Sequence, residues 1–278
     1  MLSLVPTPLG NLGDMTRRAF EALEQADLIV AEDTRVARRL LNALGIGSKE
    51  LWSYREQNAA SVTSGIIERA HEQRVAFVSD AGMPAVSDPG SALVAAAREA
   101  GVTIEVLPGP SAALGVAVLS GFPLRRFIFE GFPARTKGTR EKAFRASLET
   151  GATSLWFESP QRIIDTLATL AAVAADARVF LVREYTKRFE QQVLGTPAEV
   201  TAALEQPVRG EIAFAIAPHA AAARSEAPLD ATSEIDRLLD AGVSVREIAK
   251  TLADAGGGER RALYAAASER KRRRGSAQ

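Results

Sequence analysis

Before about residue 115 the chain alternates, five times over, a short apolar run with a segment whose apolar residues recur at helical spacing. The runs predict strands over Leu2–Val5, Leu28–Ala31, Leu51–Tyr54, Val75–Val78 and Thr103–Leu107. Between them, helical faces are marked by Ala19, Phe20 and Leu23, by Val36, Leu40 and Leu44, by Ile66, Ile67 and Ala70, and by Leu93, Val94 and Ala97. Alternation of this kind confines the chain to a mostly parallel sheet covered by helices on both faces. In such sheets ligands sit beyond the carboxyl ends of the strands.

The stretch Gly109–Gly121 is small and apolar, and after it the character changes to FIFEGFP, a strand with aromatic residues. A domain boundary is placed there, giving an N-terminal α/β domain over 1–115 and a second over 116–219. The second half predicts strands at Phe127–Glu130, Ser154–Phe157, Val179–Arg183, Gln191–Leu194 and Glu211–Ala217. Two of these follow each other through a short polar link, so this sheet is expected to be mixed. Its helices are placed at Arg135–Leu148, around Ile163 to Leu170, and at Ala198–Leu204. Residues 220–229 read as a linker, and 230–278 as a helical extension. In that extension Thr232–Ala241 and Val245–Ala253 are joined by a tight turn in which Ser244 and Glu247 form a capping box, a helix-turn-helix-like pattern. A third helix over Glu259–Glu269 runs into a basic tail, with seven basic and two acidic residues between 259 and 274.

Composition narrows the function. Lys and Arg together number 34, as do Asp and Glu, so no global field draws the chain to a polyanion and any such contact is local. With no cysteine there is no disulfide framework, Cys-ligated metal or thiol nucleophile. His71 and His219 stand alone, so no metal site is expected. The N-terminus lacks a basic segment followed by an apolar one, and no apolar run approaches a membrane span, so a soluble cytoplasmic protein is expected.

The strongest chemical signal is Ser79-Asp80-Ala81-Gly82-Met83-Pro84-Ala85-Val86-Ser87-Asp88-Pro89-Gly90, directly after the apolar run VAFV. A strand end that breaks into small-residue turns with two aspartates exposes backbone groups at the ligand-binding edge. It is neither a G-x-G-x-x-G dinucleotide loop nor a G-x-x-x-x-G-K-[ST] triphosphate loop. Pro108-Gly109-Pro110 ends the fifth strand, and Pro6-Thr7-Pro8-Leu9-Gly10-Asn11-Leu12-Gly13-Asp14 the first, so three Pro/Gly loops meet at one edge. Glu32-Asp33-Thr34-Arg35 ends the second strand and brings two carboxylates and a guanidinium to the same place.

Together with FEGFPARTKGTR, FESPQRI, REYTKRFE and RGEIAFAI, these stretches make the chain similar to the tetrapyrrole methylase superfamily. More narrowly, it resembles the ribosomal RNA small subunit methyltransferase I family over residues 4 to 216 and in its helical C-terminus. The resemblance implies a tetrapyrrole-methylase-like fold, two α/β domains with the cofactor cleft between them, plus a small helical C-terminal extension. It also implies S-adenosylmethionine as cofactor, a decoding-centre cytidine ribose 2′-hydroxyl of 16S rRNA in the small ribosomal subunit as acceptor, and a homodimer. Where the family usually has His-Asn, Gln57-Asn58 stands, so no histidine base carries over. The alternatives are a precorrin-type tetrapyrrole methyltransferase and a non-catalytic RNA-binding protein on a methylase shell.

Carried over residue by residue, the cofactor site takes Pro6, Asp80, Ala81, Gly82, Pro84, Ser87, Pro108, Gly109 and Pro110 from the first domain and Ser159, Pro160, Gly210 and Glu211 from the second. Methyl transfer to an alcohol is an in-line displacement, served by positioning and by a base or cation near the hydroxyl. Asp33, then Glu32, are the candidate bases, with Arg35 or Lys187 as electrostatic partner. Lys137, Arg140, Arg183 and Arg188 are candidate rRNA phosphate contacts, as is Lys187.

Overall fold

Strands β1 (Leu2–Leu4), β2 (Leu28–Ala31), β3 (Glu50–Ser53), β4 (Val75–Val78) and β5 (Ile104–Val106) pair in parallel in the order β3-β2-β4-β1-β5. The computed structural model describes residues 1–219, 231–254 and 259–275. Helices α1 (Arg17–Gln25), α2 (Thr34–Ala43), α3 (Ala59–Glu72) and α4 (Ser91–Glu99) connect these strands. Alternate strand residues feed opposite faces. Leu28, Val30, Val75 and Phe77 pack with Ile66 of α3 and Leu93 of α4, while Ile29, Ala31, Ala76 and Val78 pack with Leu23 of α1 and Leu41 of α2. Burial on both faces is what runs such as LIVA and VAFV require, and each full Val, Leu, Ile or Phe side chain so buried contributes about 1.5–3 kcal/mol. Neighbouring strands β1 and β4 thus send the chain to opposite faces, and a crevice opens between their carboxyl ends.

Residues 109–121 show no periodicity, yet they contain a helix, α5 (Ala112–Ser120). Ser111 caps it by accepting the Leu114 N–H at 3.4 Å, and Gly121 ends it with a φ of 67°. Val116 and Ala117 pack on Leu155, Phe180 and Ala213 of the second sheet. A division after residue 115 therefore cuts a helix that packs on the second sheet. Both sheets lie within one compact unit, Met1–Pro218, and His219–Gln278 is a separate one.

The second sheet contains β6 (Phe127–Gly131), β7 (Thr153–Glu158), β8 (Val179–Arg183), β9 (Gln191–Gly195) and β10 (Ile212–Ile216), with α6 (Lys137–Glu149), α7 (Ile163–Val173) and α8 (Pro197–Ala203). Its order is β6-β7-β10-β8-β9; β6 and β7 are parallel and the other pairs antiparallel, a mixed sheet. Trp156 anchors one face, with Phe144 edge-on at 5.0 Å and Phe214 stacked at 6.3 Å. Each such pair adds about 0.5–1.5 kcal/mol to the burial itself.

In the second unit α9 (Ala231–Asp240), α10 (Val245–Asp254) and α11 (Arg260–Gly275) share a core of Ile235, Ile248, Leu252, Leu263 and Ala267. Gly242 turns the chain between the first two with a φ of 75°, and the Ser244 hydroxyl accepts the Glu247 N–H at 3.3 Å while donating to its carboxylate at 2.9 Å. Residues 220–229, expected as a linker, lie outside the described residues.

Candidate active site

Three loops at the carboxyl ends of β4, β1 and β5 lock together. Thr7 and Gly82 exchange backbone hydrogen bonds at 3.0 Å in both directions, tying the β1 loop to the β4 loop. Gly109 lies so close to Pro6 that a Cβ there would stand 2.4 Å from the proline Cγ. The β4 loop is strained: Ala85 and Ser87 hold left-handed φ values of 66° and 61°, each costing about 1–3 kcal/mol.

A cavity of about 340 Å³ opens where these loops face the second sheet. Leu9, Ala81–Met83, Val86 and Asp88 form one wall. The other comes from the end of β7 (Phe157–Pro160), from Val182 and Tyr185 at the end of β8, and from Gly210–Ala213 at the start of β10. The volume falls in the range of small-molecule sites, and the lining is apolar side chains with a few polar groups, as such sites require. Every charged residue of the lining is acidic: Asp88, Glu158 and Glu211.

Lys187 ties the second sheet to the first. Its ammonium donates to Glu184 at 2.9 Å and Glu211 at 2.7 Å, and its methylenes lie over Gly10, where a Cβ would stand 2.2 Å from its Cγ. Burial would lower the Lys187 pKa, but the two carboxylates outweigh it and raise it. Burial likewise opposes ionisation of Glu184, and Lys187 with the Glu211 N–H overcomes it, so Glu184 is held below the usual range. Gly210, with a φ of +88°, lets Glu184 pass; a Cβ there would meet the Glu184 carboxylate at 2.4 Å. The supporting turn is strained too, Glu184 and Thr186 having φ values of 55° and 66°.

Beyond β2, Asp33 caps α2 and receives the Arg35 N–H at 2.8 Å and its guanidinium at 2.5 Å, with Arg55 at 3.6 Å. The bonds from Arg35 hold the Asp33 carboxyl well below the usual range. A carboxylate so engaged has little basicity, which favours Glu32 over Asp33 as the base. Glu32 moves the other way, raised by burial and then by Asp80 and Asp88. Asp80 is raised by burial, against the Asp33 N–H that it accepts at 3.1 Å. Asp88 is pushed up to about 6 by burial and by Asp80, against a hydrogen bond with the Ser79 hydroxyl.

Of the expected cofactor residues, Ala81, Gly82, Ser159, Pro160, Gly210 and Glu211 line the cavity. Pro6, Pro108, Gly109 and Pro110 stand in the loops behind this wall, and Asp80, Pro84 and Ser87 belong to the β4 loop without lining it. Asp88, Tyr185, Phe132 and Phe157 line it and were not singled out. For Asp88 the signal was present, since it stands in the quoted SDPG.

Among the RNA candidates, Arg140 requires correction. It is buried, its guanidinium donating to the Thr169 hydroxyl at 2.8 and 3.0 Å and to backbone carbonyls of Ala134, Arg135 and Asp165. It pins α6 to α7 and presents nothing to a phosphate. Lys137 and Arg188 are exposed, the latter over Phe189, and Arg183 spends two donors on Gln191 and the Arg209 carbonyl.

Comparison with known proteins gives the class: a profile of Tetrapyrrole (Corrin/Porphyrin) Methylases matches residues 1–201. A crystal structure of diphthine synthase superposes with a TM-score of 0.63 at 19% identity, covering 80% of this chain and 93% of that one. Ribosomal RNA small subunit methyltransferase I of Streptococcus pyogenes serotype M1 is 39% identical over 95% of this chain and 93% of its own. The enzyme of that name from Escherichia coli O157:H7 is 38% identical over 96% and 94%. The chain belongs to the ribosomal RNA small subunit methyltransferase I family of the tetrapyrrole methylases, whose methyl donor is S-adenosylmethionine. The cavity fits that donor. Its apolar walls suit adenine, backbone groups at Ala81–Met83 and Gly210–Ile212 suit its polar edges, and an all-acidic set of charges suits a ligand with a sulfonium and an ammonium.

Proposed function

We propose that this chain methylates the ribose 2′-hydroxyl of a decoding-centre cytidine in 16S rRNA of the small ribosomal subunit. The observation that carries the reading is the likeness to ribosomal RNA small subunit methyltransferase I over 95% of the chain. When bound, S-adenosylmethionine supplies an electrophilic methyl group. The chain does the rest by placement, which alone can contribute about 7–11 kcal/mol in well-oriented reactions. The β1, β4 and β5 loops fix one wall, and Lys187 with Glu184 and Glu211 holds the other against it. Glu32, raised by burial and like charge, serves as proton acceptor for the ribose hydroxyl, while Asp33 orients Arg35 and Arg55 toward the rRNA backbone. Lys137, Arg183 and Arg188 add phosphate contacts.

We further infer a homodimer, supported by exposed apolar side chains one turn apart on α5, Leu114 at 56% and Val118 at 71% exposure. Sedimentation of Val118→Asp as a monomer checks this. Among the described residues no helix is long and apolar enough to cross a membrane. The proposed substrate places the protein in the cytoplasm.

The deciding experiment transfers labelled methyl from S-adenosylmethionine to 30S subunits lacking their native modifications, then maps the labelled nucleoside. Label on a cytidine ribose is the expected result. Cofactor binding without label on rRNA would overturn the acceptor and turn attention to a small molecule.

A further inference from the structure

The cofactor reading leaves open which group of this chain meets the cofactor's positive charge, and the inference drawn here rests on that reading. Of the three carboxylates in the cavity wall, two are already engaged. Glu158 accepts the Ser159 N–H at 2.8 Å and the Thr166 hydroxyl at 2.7 Å, and pairs with Arg162 at 3.3 Å. Glu211 pairs with Lys187 and reaches out to solvent. Asp88 has the Ser79 hydroxyl for a partner. Among the described residues it makes no ion pair, since Asp33 engages Arg35 and Arg55 at this edge.

The charged groups around Asp88 sharpen the contrast. Asp80 in its own loop and Glu32 at the end of β2 repel it. Across the cavity stand Glu158 with Arg162 and Glu211 with Lys187, each cation matched by its own carboxylate, and Tyr185. The left-handed residues Ala85 and Ser87 lie three and one residues before Asp88 and set the path of the chain into the cavity wall. The result is a half-buried carboxyl short of a cation, facing a cavity whose ligand carries two.

We propose that Asp88 receives the cationic end of S-adenosylmethionine as an ion pair. The chemistry is a carboxylate holding a cation, and either the sulfonium or the ammonium provides it. With burial and Asp80 pushing the Asp88 carboxyl up to about 6, the ion pair forms with loss of a proton to solvent below that value, and affinity is expected to rise about tenfold between roughly pH 5 and 7. Glu32 and Asp80 are also raised, so substitution of Asp88 itself decides the assignment.

The test is titration calorimetry of the full chain near pH 5.5 in two buffers of different ionisation enthalpy, with three ligands. S-adenosylmethionine carries both cations, S-adenosylhomocysteine only the ammonium, and methylthioadenosine neither. The expected results are release of about half to one proton by the wild type with a cationic ligand, and its loss in Asp88→Asn. That variant binds S-adenosylmethionine about 10- to 100-fold more weakly, yet binds methylthioadenosine as the wild type does, which also shows that it is folded. Weakening for S-adenosylmethionine alone assigns the sulfonium, and for both charged ligands the ammonium. Wild-type affinity and proton release in Asp88→Asn, or an equal loss for methylthioadenosine, overturn the proposal. Failure of the wild type to bind S-adenosylmethionine overturns the cofactor reading itself, and the assignment with it.

Discussion

Asp88→Asn is expected to stabilise the ligand-free protein above about pH 6, and the size of the effect follows from the Asp88 environment. The carboxyl moves from 3.8 in a solvated reference to about 6 in the folded chain. Two units at about 1.4 kcal/mol each give about 3 kcal/mol as the upper figure, and screening at a partly exposed site reduces it to about 1–2 kcal/mol. The sign follows from proton counting. Between those two pKa values the unfolded chain has released a proton that the folded chain keeps, so stability falls as pH rises, and the cost is complete above the folded value. Asparagine does not titrate, so the two proteins differ little near pH 4 and diverge to a plateau above about pH 7. Urea unfolding followed by tryptophan fluorescence measures this, because Trp52 and Trp156 both lie in the Met1–Pro218 unit. A difference independent of pH, or an Asn variant less stable than wild type at pH 8, would refute the reasoning.

Arg140→Ala removes the guanidinium that donates to the buried Thr169 hydroxyl and, at 3.4–3.5 Å, to the part-buried carbonyls of Ala134, Arg135 and Asp165. It should lower the unfolding free energy by about 2–4 kcal/mol, with rRNA affinity per folded molecule unchanged in filter binding. In Gly109→Ala the new methyl meets the rigid Pro6 ring at 2.4 Å; a destabilisation of about 1–3 kcal/mol and weaker cofactor binding by calorimetry are the expected outcomes. Lys187→Met leaves Glu184 and Glu211 facing each other without their cation, so initial rates of methyl transfer should fall by at least about tenfold and recover in part in Lys187→Arg.

The parallel sheet was legible because a strand buried on both faces must be apolar throughout, and LIVA and VAFV declare that without context. Helix α5 was not legible, for a related reason. Its sequence, AALGVAVLS, is apolar on every side, so no period separates the face on the second sheet from the exposed Leu114 and Val118. What marks it as a helix is its punctuation, Ser111 at one end and Gly121 at the other. Missing the helix moved the domain boundary into it. Basic residues in FEGFPARTKGTR suffered the same ambiguity: composition assigns a charge to Arg140 but not a direction, and the helix carries it inward to Thr169 while Lys137, one turn earlier, stays outside.

The site was legible in its backbone and not in its ionisation. Prolines and glycines declare close approach, and Pro6 against Gly109 or Gly82 against Thr7 is what such loops are for. A carboxylate's basicity is instead set by its neighbours, which for Asp33 are two arginines and for Asp88 a second aspartate and a desolvating wall. Adjacent in sequence, Glu32 and Asp33 are driven in opposite directions because hydrogen bonds from Arg35 hold one carboxylate down, while burial and then Asp80 and Asp88 raise the other. The loop after β4 and the turn after β8 both accept left-handed, non-glycine residues. Glycine substitutions at Ala85 or Thr186 would relieve that strain while freeing the loop, so the strained residues fix the charged groups that follow them, Asp88 in one case and Lys187 in the other.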